Sequence, residues 1–233
     1  MPVAIITGAS MGLGRALGLG LAEKGWELVI DGRDASALDR AAAELRTAGA
    51  VRVAAVAGDV SDALHRRALV AAAGPTVDLL VNNASVLGPS PQPPLAAYPL
   101  DELEWVYRVN TLAPLALIQS TLPMLRATGG RVINITSDAA VEGYPGWGGY
   151  GSSKAALEQL SRVLAAEEPM VRVYWADPGD LRTRLHQEAF PGEDISDRPP
   201  PEIAVPGLLE LIEGDLPSGR YRAQDIVAVK VTS

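Results

Sequence analysis

The sequence predicts an α/β fold: a single-domain, doubly wound parallel sheet with helices on both faces. Short β-branched runs alternate with longer stretches rich in alanine and leucine, which is the order of repeated strand–helix–strand units. Several of the short runs are almost entirely apolar, as expected for strands covered on both faces. The 233 residues contain neither an internal repeat nor a linker, so we expect one domain over residues 1–233.

The predicted strands and helices alternate from the start of the chain. Strands are predicted at residues 3–6, 27–31, 51–56, 79–81, 132–136 and 171–176, and helices at residues 14–24 and 35–48. Gly25 and Gly49 follow the two helices as C-terminal stops. Residues 88–99 contain five prolines and residues 197–206 contain four, so both segments are predicted to be loops.

The composition excludes several kinds of site. The chain has no cysteine, which rules out disulfides, thiolate nucleophiles and cysteine-bound metals. Its two histidines, His65 and His186, have no carboxylate at metal-ligand spacing, so no metal site is predicted. His65 lies beside Arg66 and Arg67 in a charged helical stretch, and we expect it at the surface.

Charge and hydropathy limit the partners and the location. A net charge of −8 argues against a nucleic-acid partner, because phosphate binding needs a basic face. No apolar run approaches the ~20 residues that cross a bilayer, and no charged leader with an apolar stretch precedes the first strand. We therefore expect a cytoplasmic protein with neither a nucleic-acid nor a membrane partner.

A glycine-rich turn, TGASMGLG at residues 7–14, follows the first predicted strand and opens the first helix. Glycines let the backbone approach a pyrophosphate closely, and free amides at a helix N-terminus attract its negative charge. The spacing of Gly8, Gly12 and Gly14 differs from the common Gly-x-Gly-x-x-Gly pattern. The turn indicates a dinucleotide site, and a tight turn that binds no ligand is the alternative.

The end of the second predicted strand bears on the choice of dinucleotide. An acid at this point would bind the 2′-hydroxyl of NAD, whereas an arginine would bind the 2′-phosphate of NADP. Asp31 favours the first interpretation and Arg33 favours the second. After the third strand, Asp59 and Val60 are expected near the adenine, although Asp59 could equally be the N-cap of the next helix.

A serine, a tyrosine and a lysine suggest the chemistry. Ser137 ends a buried strand, at the edge where open α/β sheets bind ligands. Tyr150 and Lys154 are four residues apart at the start of a predicted helix, so they share one face. A free tyrosine titrates near pH ~10, and a neighbouring cation lowers its pKa toward the range of general acid–base work. Each residue alone is more often structural; together, downstream of the glycine turn, they indicate a proton-transfer site.

With these residues in order, the sequence resembles the short-chain dehydrogenase/reductase family, which has a Rossmann fold. The resemblance covers nearly the whole chain, and its matching positions are residues 7–14, Asp59, Asn82-Asn83-Ala84, Asn110, Ser137, Tyr150, Lys154, Pro178-Gly179 and Thr183. The Tyr-x-x-x-Lys pair, combined with the upstream serine and the glycine turn, is highly specific. The resemblance implies a nicotinamide-dependent oxidoreductase that acts on a small-molecule carbonyl or alcohol.

The resemblance also implies roles for individual residues. Tyr150 would protonate the carbonyl oxygen or deprotonate the alcohol, and Lys154 would hold the nicotinamide ribose and lower the pKa of the tyrosine. Ser137 would bind the reacting oxygen, and Asn110 would position a water that links the lysine to solvent. The implied cofactor contacts are Gly8, Ser10, Met11, Gly12, Leu13, Gly14, Arg33, Asp59, Val60, Asn82, Ala84, Tyr150, Lys154, Pro178, Gly179 and Thr183.

The position of the family's cofactor-specifying residues, counted from the glycine turn, bears on the choice between NAD and NADP. The acid that marks NAD members falls at Gly32, and the basic residue that marks NADP members falls at Arg33. Asp31 is one place early, where strand alternation points it elsewhere. Met11 departs from the pattern, since many NADP members have a second basic residue there. We expect NADP(H), with NAD(H) as the alternative. Rival functions are an NAD-linked alcohol dehydrogenase and a non-catalytic dinucleotide-binding sensor or scaffold.

Three further expectations concern the substrate side and assembly. Ser85 stands where glycine usually follows Asn-Asn-Ala, which crowds the substrate side slightly. A small substrate loop is expected at about residues 185–206, with residues 185–201 as a lid, while Tyr144 and Trp147 either line the pocket or pack the loop. A homodimer or homotetramer is expected through a face that could equally be core, made of Leu112, Leu115, Leu117, Ile118, Leu157 and Leu160.

Overall fold

The computed structural model describes residues 1–226, so the last seven positions of the predicted domain, 227–233, lie outside the described residues. It has one seven-stranded sheet, ordered β3-β2-β1-β4-β5-β6-β7, in which every neighbouring pair is parallel. The strands are β1 Val3–Ile6, β2 Glu27–Gly32, β3 Arg52–Ala57, β4 Leu79–Asn82, β5 Arg131–Ile135, β6 Arg172–Asp177 and β7 Gly219–Arg222.

Helices connect the strands and cover the sheet. They are α1 Gly12–Ala22, α2 Ala35–Thr47, α3 Ala63–Ala73, α4 Leu100–Tyr107, α5 Ala113–Thr128, α6 Gly148–Glu167, α7 Arg184–Ala189 and α8 Val205–Glu213. A single π-helical segment, Arg108–Leu112, joins α4 to α5. Short 3₁₀ turns lie at Leu95–Ala97, Asp138–Ala140 and Pro201–Ala204.

The hydrophobic core has two layers because successive strand residues point to opposite faces of the sheet. Ile6 belongs to the layer that contains Leu17 of α1 and Leu208 of α8. Ile5, its neighbour in β1, belongs to the other layer, which contains Leu117 of α5. The doubly wound parallel sheet with helices on both faces is therefore confirmed.

The strand order reverses at β1, which places a crevice at its carboxyl end. Ile5 pairs with Val29 of β2 on one side and with Leu80 of β4 on the other. The chain leaves these neighbouring strands toward opposite faces, and open α/β sheets bind ligands at such a point. The glycine-rich turn follows β1 directly, so it lies in this crevice.

Two elements differ from the sequence-based expectation. The expected loop at 197–206 ends early, because α8 begins at Val205 and Pro206 occupies its first turn, where a missing N–H costs nothing. The edge strand β7 was not predicted, since GRYR is polar and short and has no buried residue. The six predicted strands agree with the structure within one residue at each end.

The predicted association face is partly core. Leu117, Ile118 and Leu157 are at most 3% exposed, so they pack inside the chain. Leu112, the last residue of the π-helical segment, remains 54% exposed. In residues 1–226, none of the helices combines the length and apolar character needed to span a bilayer.

Candidate active site

A cleft runs along the carboxyl ends of the central strands and collects most of the predicted site residues. Those lining it are Gly8, Ser10, Met11, Gly12, Leu13, Arg33, Asp59, Val60, Ala84, Ser137, Tyr150, Lys154, Pro178, Gly179 and Thr183. Among the described residues, Gly14, Asn82 and Asn110 were also predicted but do not line it. These three lie beneath the surface of the cleft and support it.

The glycine-rich turn is anchored to the end of β4. Thr7 Oγ1 accepts hydrogen bonds from the backbone amides of Asn83 and Ala84, each at 3.0 Å. The Asn83 side chain donates to the carbonyls of Thr7 and Gly8 at 2.8 and 3.1 Å. Gly8 has a φ of +67°, and a Cβ there would lie 2.9 Å from Ala84 Cα, so glycine is required on both grounds.

The first turn of α1 offers its amides to the cleft. The N-cap residue Met11 makes no side-chain cap in the described chain, so the amides of the first turn have no side-chain acceptor. A helix N-terminus of this kind stabilises a phosphate group. A Cβ at Gly14 would lie 2.5 Å from Asn83 Nδ2, so Gly14 allows close packing beneath the turn. The turn fits the pyrophosphate of a dinucleotide.

Asp31 and His65 form a buried pair below this turn. Asp31 Oδ1 accepts from the Gly8 amide at 2.5 Å, and its Oδ2 lies 3.1 Å from His65 Nε2. Both residues are at most 8% exposed, so the prediction that His65 is a surface residue was wrong. His65 lies on the side of α3 that faces the sheet. The adjacent Arg66 and Arg67 had suggested that this stretch of the helix is exposed to solvent. The Asp31 carboxylate is committed to protein partners.

The end of the cleft beside β2 and β3, which is expected to bind the adenosine, contains Arg33 and Asp59. Arg33 is exposed at the rim, while a Cβ on Gly32 would lie 2.9 Å from Ser10 Oγ. An acidic side chain at position 32 would therefore collide with Ser10. Asp59 accepts from the Ser61 amide at 2.8 Å, and the N-cap of α3 is Asp62, which excludes the alternative that Asp59 caps this helix.

Asn82, a predicted cofactor contact, does not line the cleft. It is 2% exposed, and its Nδ2 donates to Asn134 Oδ1 at 2.8 Å. Asn134 in turn donates to Ser161 Oγ of α6 at 2.7 Å. Successive residues of a strand point to opposite sides, so Asn83 lies on the cleft side while the side chain of Asn82 points toward Asn134. It joins β4, β5 and α6, and so fixes the strand ends around the site.

Tyr150 and Lys154 occupy successive turns of α6 and are almost fully buried. Lys154 Nζ donates to the Ile135 carbonyl at 2.8 Å and lies 5.5 Å from the centroid of the Tyr150 ring. Burial raises the pKa of Tyr150 above its ordinary value and lowers the pKa of Lys154 to about 7. The expectation that Lys154 lowers the pKa of the tyrosine does not hold for the chain by itself, because loss of solvent favours the neutral form of both groups. Tyr150 is therefore held as a phenol.

Ser137 is aligned by its neighbours at the end of β5. Its hydroxyl donates to Asp138 Oδ1 at 2.8 Å, and the Ala139 amide donates to its oxygen at 3.2 Å. Tyr144 donates to Asp138 Oδ2 at 3.0 Å, so Tyr144 packs the loop. Trp147 lines the cleft, with its ring 5.8 Å from that of Tyr150.

A charged network behind Ser137 was not predicted. Glu158, 1% exposed and one turn beyond Lys154, accepts from Thr136 Oγ1 at 2.8 Å and from Arg220 Nε at 2.9 Å. The same arginine donates to the Ser137 carbonyl at 3.1 Å. The four-residue spacing from Lys154 could have indicated Glu158, but Arg220 belongs to the unpredicted strand β7.

Asn110 lies in the π-helical segment and is fully buried. Its Oδ1 accepts from the Val86 amide at 2.9 Å and from Ser85 Oγ at 3.1 Å. Its Nδ2 donates to the Val86 carbonyl at 2.9 Å and to Ser153 Oγ at 3.0 Å. These four bonds fill the capacity of the amide. Any water held by Asn110 must therefore bind its backbone.

The far wall of the cleft is formed after β6. Gly179 donates its amide to Asp177 Oδ1 at 2.9 Å, and Thr183 Oγ1 caps α7 by accepting from the His186 amide at 3.3 Å. A Cβ on Gly12 would lie 3.6 Å from Thr183 Cγ2, so this wall meets the glycine turn. Phe190, just after α7, lies with its ring 6.1 Å from the ring of Trp147, so the α7 segment covers the Trp147 end of the cleft, where the substrate is expected.

A parallel sheet with a glycine-rich turn where its strand order reverses defines a dinucleotide-binding α/β fold. The profile of the short chain dehydrogenase family matches residues 2–194. The chain belongs to the short-chain dehydrogenase/reductase family, whose members are oxidoreductases.

Individual relatives agree with this assignment. The chain is 33% identical to the rhamnolipids biosynthesis 3-oxoacyl-[acyl-carrier-protein] reductase of Pseudomonas aeruginosa, over 99% of this chain and 88% of that protein. It is 40% identical over 172 residues to the short chain dehydrogenase asqE of Emericella nidulans; the match covers 70% of this chain and 64% of that relative, which is under two thirds of its length. The alcohol dehydrogenase of Thermococcus sibiricus, solved with 5-hydroxy-NADP, superposes with a TM-score of 0.85 at 29% identity, covering 95% of each chain.

Proposed function

We propose that this chain is an NADP(H)-dependent oxidoreductase that transfers a hydride between the nicotinamide and a carbonyl or secondary alcohol, chiefly as a reductase. The observation that carries the proposal is one cleft that joins the glycine turn to Ser137, Tyr150 and Lys154. The first turn of α1 would hold the phosphates of a dinucleotide bound along it, and Tyr150 would stand beside its nicotinamide.

The chemistry follows from the protonation states of the site. The bound cofactor supplies the hydride. Burial keeps Tyr150 protonated, so its O–H can give a proton to a carbonyl oxygen. Ser137 Oγ, which donates to Asp138 here, would turn to donate to the same oxygen, and Lys154, held at the Ile135 carbonyl, would bind the ribose hydroxyls. The neutral phenol is the form of Tyr150 that acts as the acid in reduction.

The preference for NADP(H) rests on the adenosine end. Arg33 offers an exposed cation at the rim, whereas the carboxylate of Asp31 is already bound to Gly8 and His65. Position 32 has no room for the acid that binds the 2′-hydroxyl of NAD. The structural relative from Thermococcus sibiricus was solved with an NADP derivative, which supports the same choice.

The substrate end favours an apolar or aromatic carbonyl compound. Leu87, Trp147 and Leu185 line the cleft around Tyr150. Phe190 packs against Trp147 behind α7, so we propose that residues 185–201 act as the substrate lid. Deletion of residues 185–201 should raise the Michaelis constant for substrate, and an unchanged constant would exclude the lid.

A screen of NADPH consumption across ketones, quinones, keto-esters and sugars tests the function. We expect saturable turnover with at least one apolar carbonyl class, with higher kcat/KM for NADPH than for NADH. Higher efficiency and a lower Michaelis constant with NADH would contradict the cofactor choice. Tight NADPH binding without turnover of any substrate would favour the sensor or scaffold.

Association of copies is proposed through the outer side of α5 and α6. Leu112, just before α5, and Val163 of α6 are 54% and 43% exposed, although both are apolar. Members of the family are typically oligomeric, and burying such side chains stabilises a dimer or tetramer. Light scattering at micromolar concentration should give a multiple of the chain mass; a monomeric mass would exclude the assembly.

A further inference from the structure

Asp31 and His65 form a buried pair at the adenosine end of the cleft. They are 2% and 8% exposed, and Asp31 lines the cleft together with Arg33, the residue proposed to bind the 2′-phosphate of NADP. Like charges repel, and the repulsion is stronger where water is excluded. Binding of a 2′-phosphate at this end therefore requires that the Asp31 carboxylate be held by donors of the protein.

Two other acids at this end are held by local turns. Asp34 and Asp59 line the cleft, and each accepts a hydrogen bond from a backbone amide that follows it in the chain, at 3.0 and 2.8 Å. Asp31 instead depends on distant segments, because Gly8 lies 23 residues before it and His65 lies 34 residues after it. The direction of its carboxylate can therefore be changed at one partner without disturbing a local turn.

The two oxygens of Asp31 have different donors. Oδ1 accepts from the Gly8 amide at 2.5 Å, and Oδ2 lies 3.1 Å from His65 Nε2. An ionised carboxylate only accepts, so His65 Nε2 carries the hydrogen and donates it. The Gly8 bond holds one oxygen and would by itself leave the other free to turn. The bond from His65 therefore fixes the direction of the carboxylate.

Gly58 provides the space that His65 occupies. A Cβ on Gly58 would lie 2.3 Å from His65 Nδ1, and the Gly58 amide donates to the Gly32 carbonyl at 3.0 Å. The imidazole thus lies against the joined ends of β2 and β3. In the described part of the chain, His65 does not itself line the cleft, so its effect on a ligand passes through Asp31.

We propose that His65 is a positioning residue that determines cofactor specificity, because it holds the Asp31 carboxylate on its protein donors and so allows the cleft to accept the 2′-phosphate of NADP. The inference rests on the proposed function, in which Arg33 binds that phosphate. Without His65, Asp31 Oδ2 can turn toward the ribose, where it repels a 2′-phosphate and accepts a hydrogen bond from a 2′-hydroxyl. Loss of the imidazole therefore shifts the preference from NADPH toward NADH.

The test measures the dissociation constants of NADPH and NADH by fluorescence titration in wild type, His65→Ala and His65→Gln. In His65→Ala we expect NADPH to bind about tenfold more weakly, while NADH binds at least as tightly as in wild type. In turnover, the Michaelis constant for NADPH should rise with kcat unchanged. His65→Gln keeps an N–H donor at similar reach and should retain most of the wild-type ratio of the two constants.

Three further variants separate charge from packing. Asp31→Asn combined with His65→Ala removes the negative charge, so NADPH affinity should return to within about threefold of wild type. Val70→Ala shortens another side chain of α3 that packs against the core, and it should leave the ratio unchanged. Gly58→Ala displaces the imidazole and should reproduce the shift, so it serves as the test should His65→Ala fail to fold.

The outcomes are distinct. An unchanged ratio in folded His65→Ala or Gly58→Ala overturns the role of His65. An equal loss of affinity for both cofactors overturns it too, because a purely structural contact gives that result, and so does a failure of Asp31→Asn to restore NADPH binding. If the ratio shifts as expected while wild type favours NADH or reduces no carbonyl, the proposed function fails and the role of His65 stands.

Discussion

Lys154 Nζ lies 5.5 Å from the centroid of the Tyr150 ring while it donates to the Ile135 carbonyl at 2.8 Å. The lysine therefore sits beneath the ring, and the strand end of β5 fixes its position. Both side chains are at most 6% exposed, which favours neutral lysine and neutral phenol before cofactor binds. The pair is held in the state needed to donate a proton from Tyr150.

Burial of Lys154 predicts a stability cost that depends on pH. Its pKa is about 7 in the folded chain, against an ordinary value of 10.5, so the unfolded chain binds more protons between these values. The cost is fully present below about pH 7 and disappears as the pH rises toward 10. Without cofactor, the unfolding free energy of wild type should rise by roughly 2–4 kcal/mol from pH 7 to pH 10 relative to Lys154→Met, measured by urea unfolding.

Ionisation of Tyr150 does not change the unfolding free energy between pH 7 and pH 10, because its ordinary pKa is 10.0 and burial moves this pKa upward. Its effect on stability therefore begins only above about pH 10. Wild-type and Lys154→Met curves that run parallel from pH 7 to pH 10 would show that the lysine is charged in the folded protein.

Substitution of Arg33 should lower the preference for NADPH. In Arg33→Ala, kcat/KM for NADPH should fall roughly 10–100-fold, because a charge-assisted bond to the 2′-phosphate is lost, while the value for NADH changes little. Arg40→Ala, an exposed arginine of α2 that does not line the cleft, is the control. Equal losses with both cofactors would mean that Arg33 does not read the phosphate.

Gly14 should tolerate no side chain. A Cβ there would lie 2.5 Å from Asn83 Nδ2 and 2.6 Å from the Gly8 carbonyl oxygen. Gly14→Ala should lower the unfolding free energy by about 1–3 kcal/mol and weaken dinucleotide binding, measured by urea unfolding and fluorescence titration. Gly143→Ala, whose Cβ meets no described atom within 4 Å, should change neither. Equal stability of the two variants would contradict the tight packing beneath the turn.

The fold could be predicted because its signals are local. The apolar runs of the inner strands identify a covered parallel sheet, and the glycine-rich turn marks the first crossover. The edge strand β7 could not be found this way, since GRYR follows neither an apolar nor an alternating pattern. Its existence depends on pairing with β6, which only the folded chain provides.

A sequence motif predicts a site residue when it specifies which side chain faces the cleft. The motif Asn-Asn-Ala does not specify which asparagine faces the cleft. In the structure, the alternation of side chains along the strand places Asn83 on the cleft side, whereas the Asn82 side chain bonds to Asn134 of the neighbouring strand. The partner of His65 lies 34 residues earlier in the chain, so its burial could not be seen in the local charge pattern. Contacts between distant segments, such as Arg220 with Ser137, are set by the sheet order.

The account depends on Tyr150 as the group that exchanges a proton with the substrate. Tyr150→Phe removes only the hydroxyl, so NADPH affinity by fluorescence titration should stay within about threefold of wild type. Turnover of the substrate found in the screen should fall by at least about a thousandfold in kcat/KM, the range expected for loss of a general acid. Cofactor binding retained with kcat/KM within tenfold of wild type would contradict the central claim.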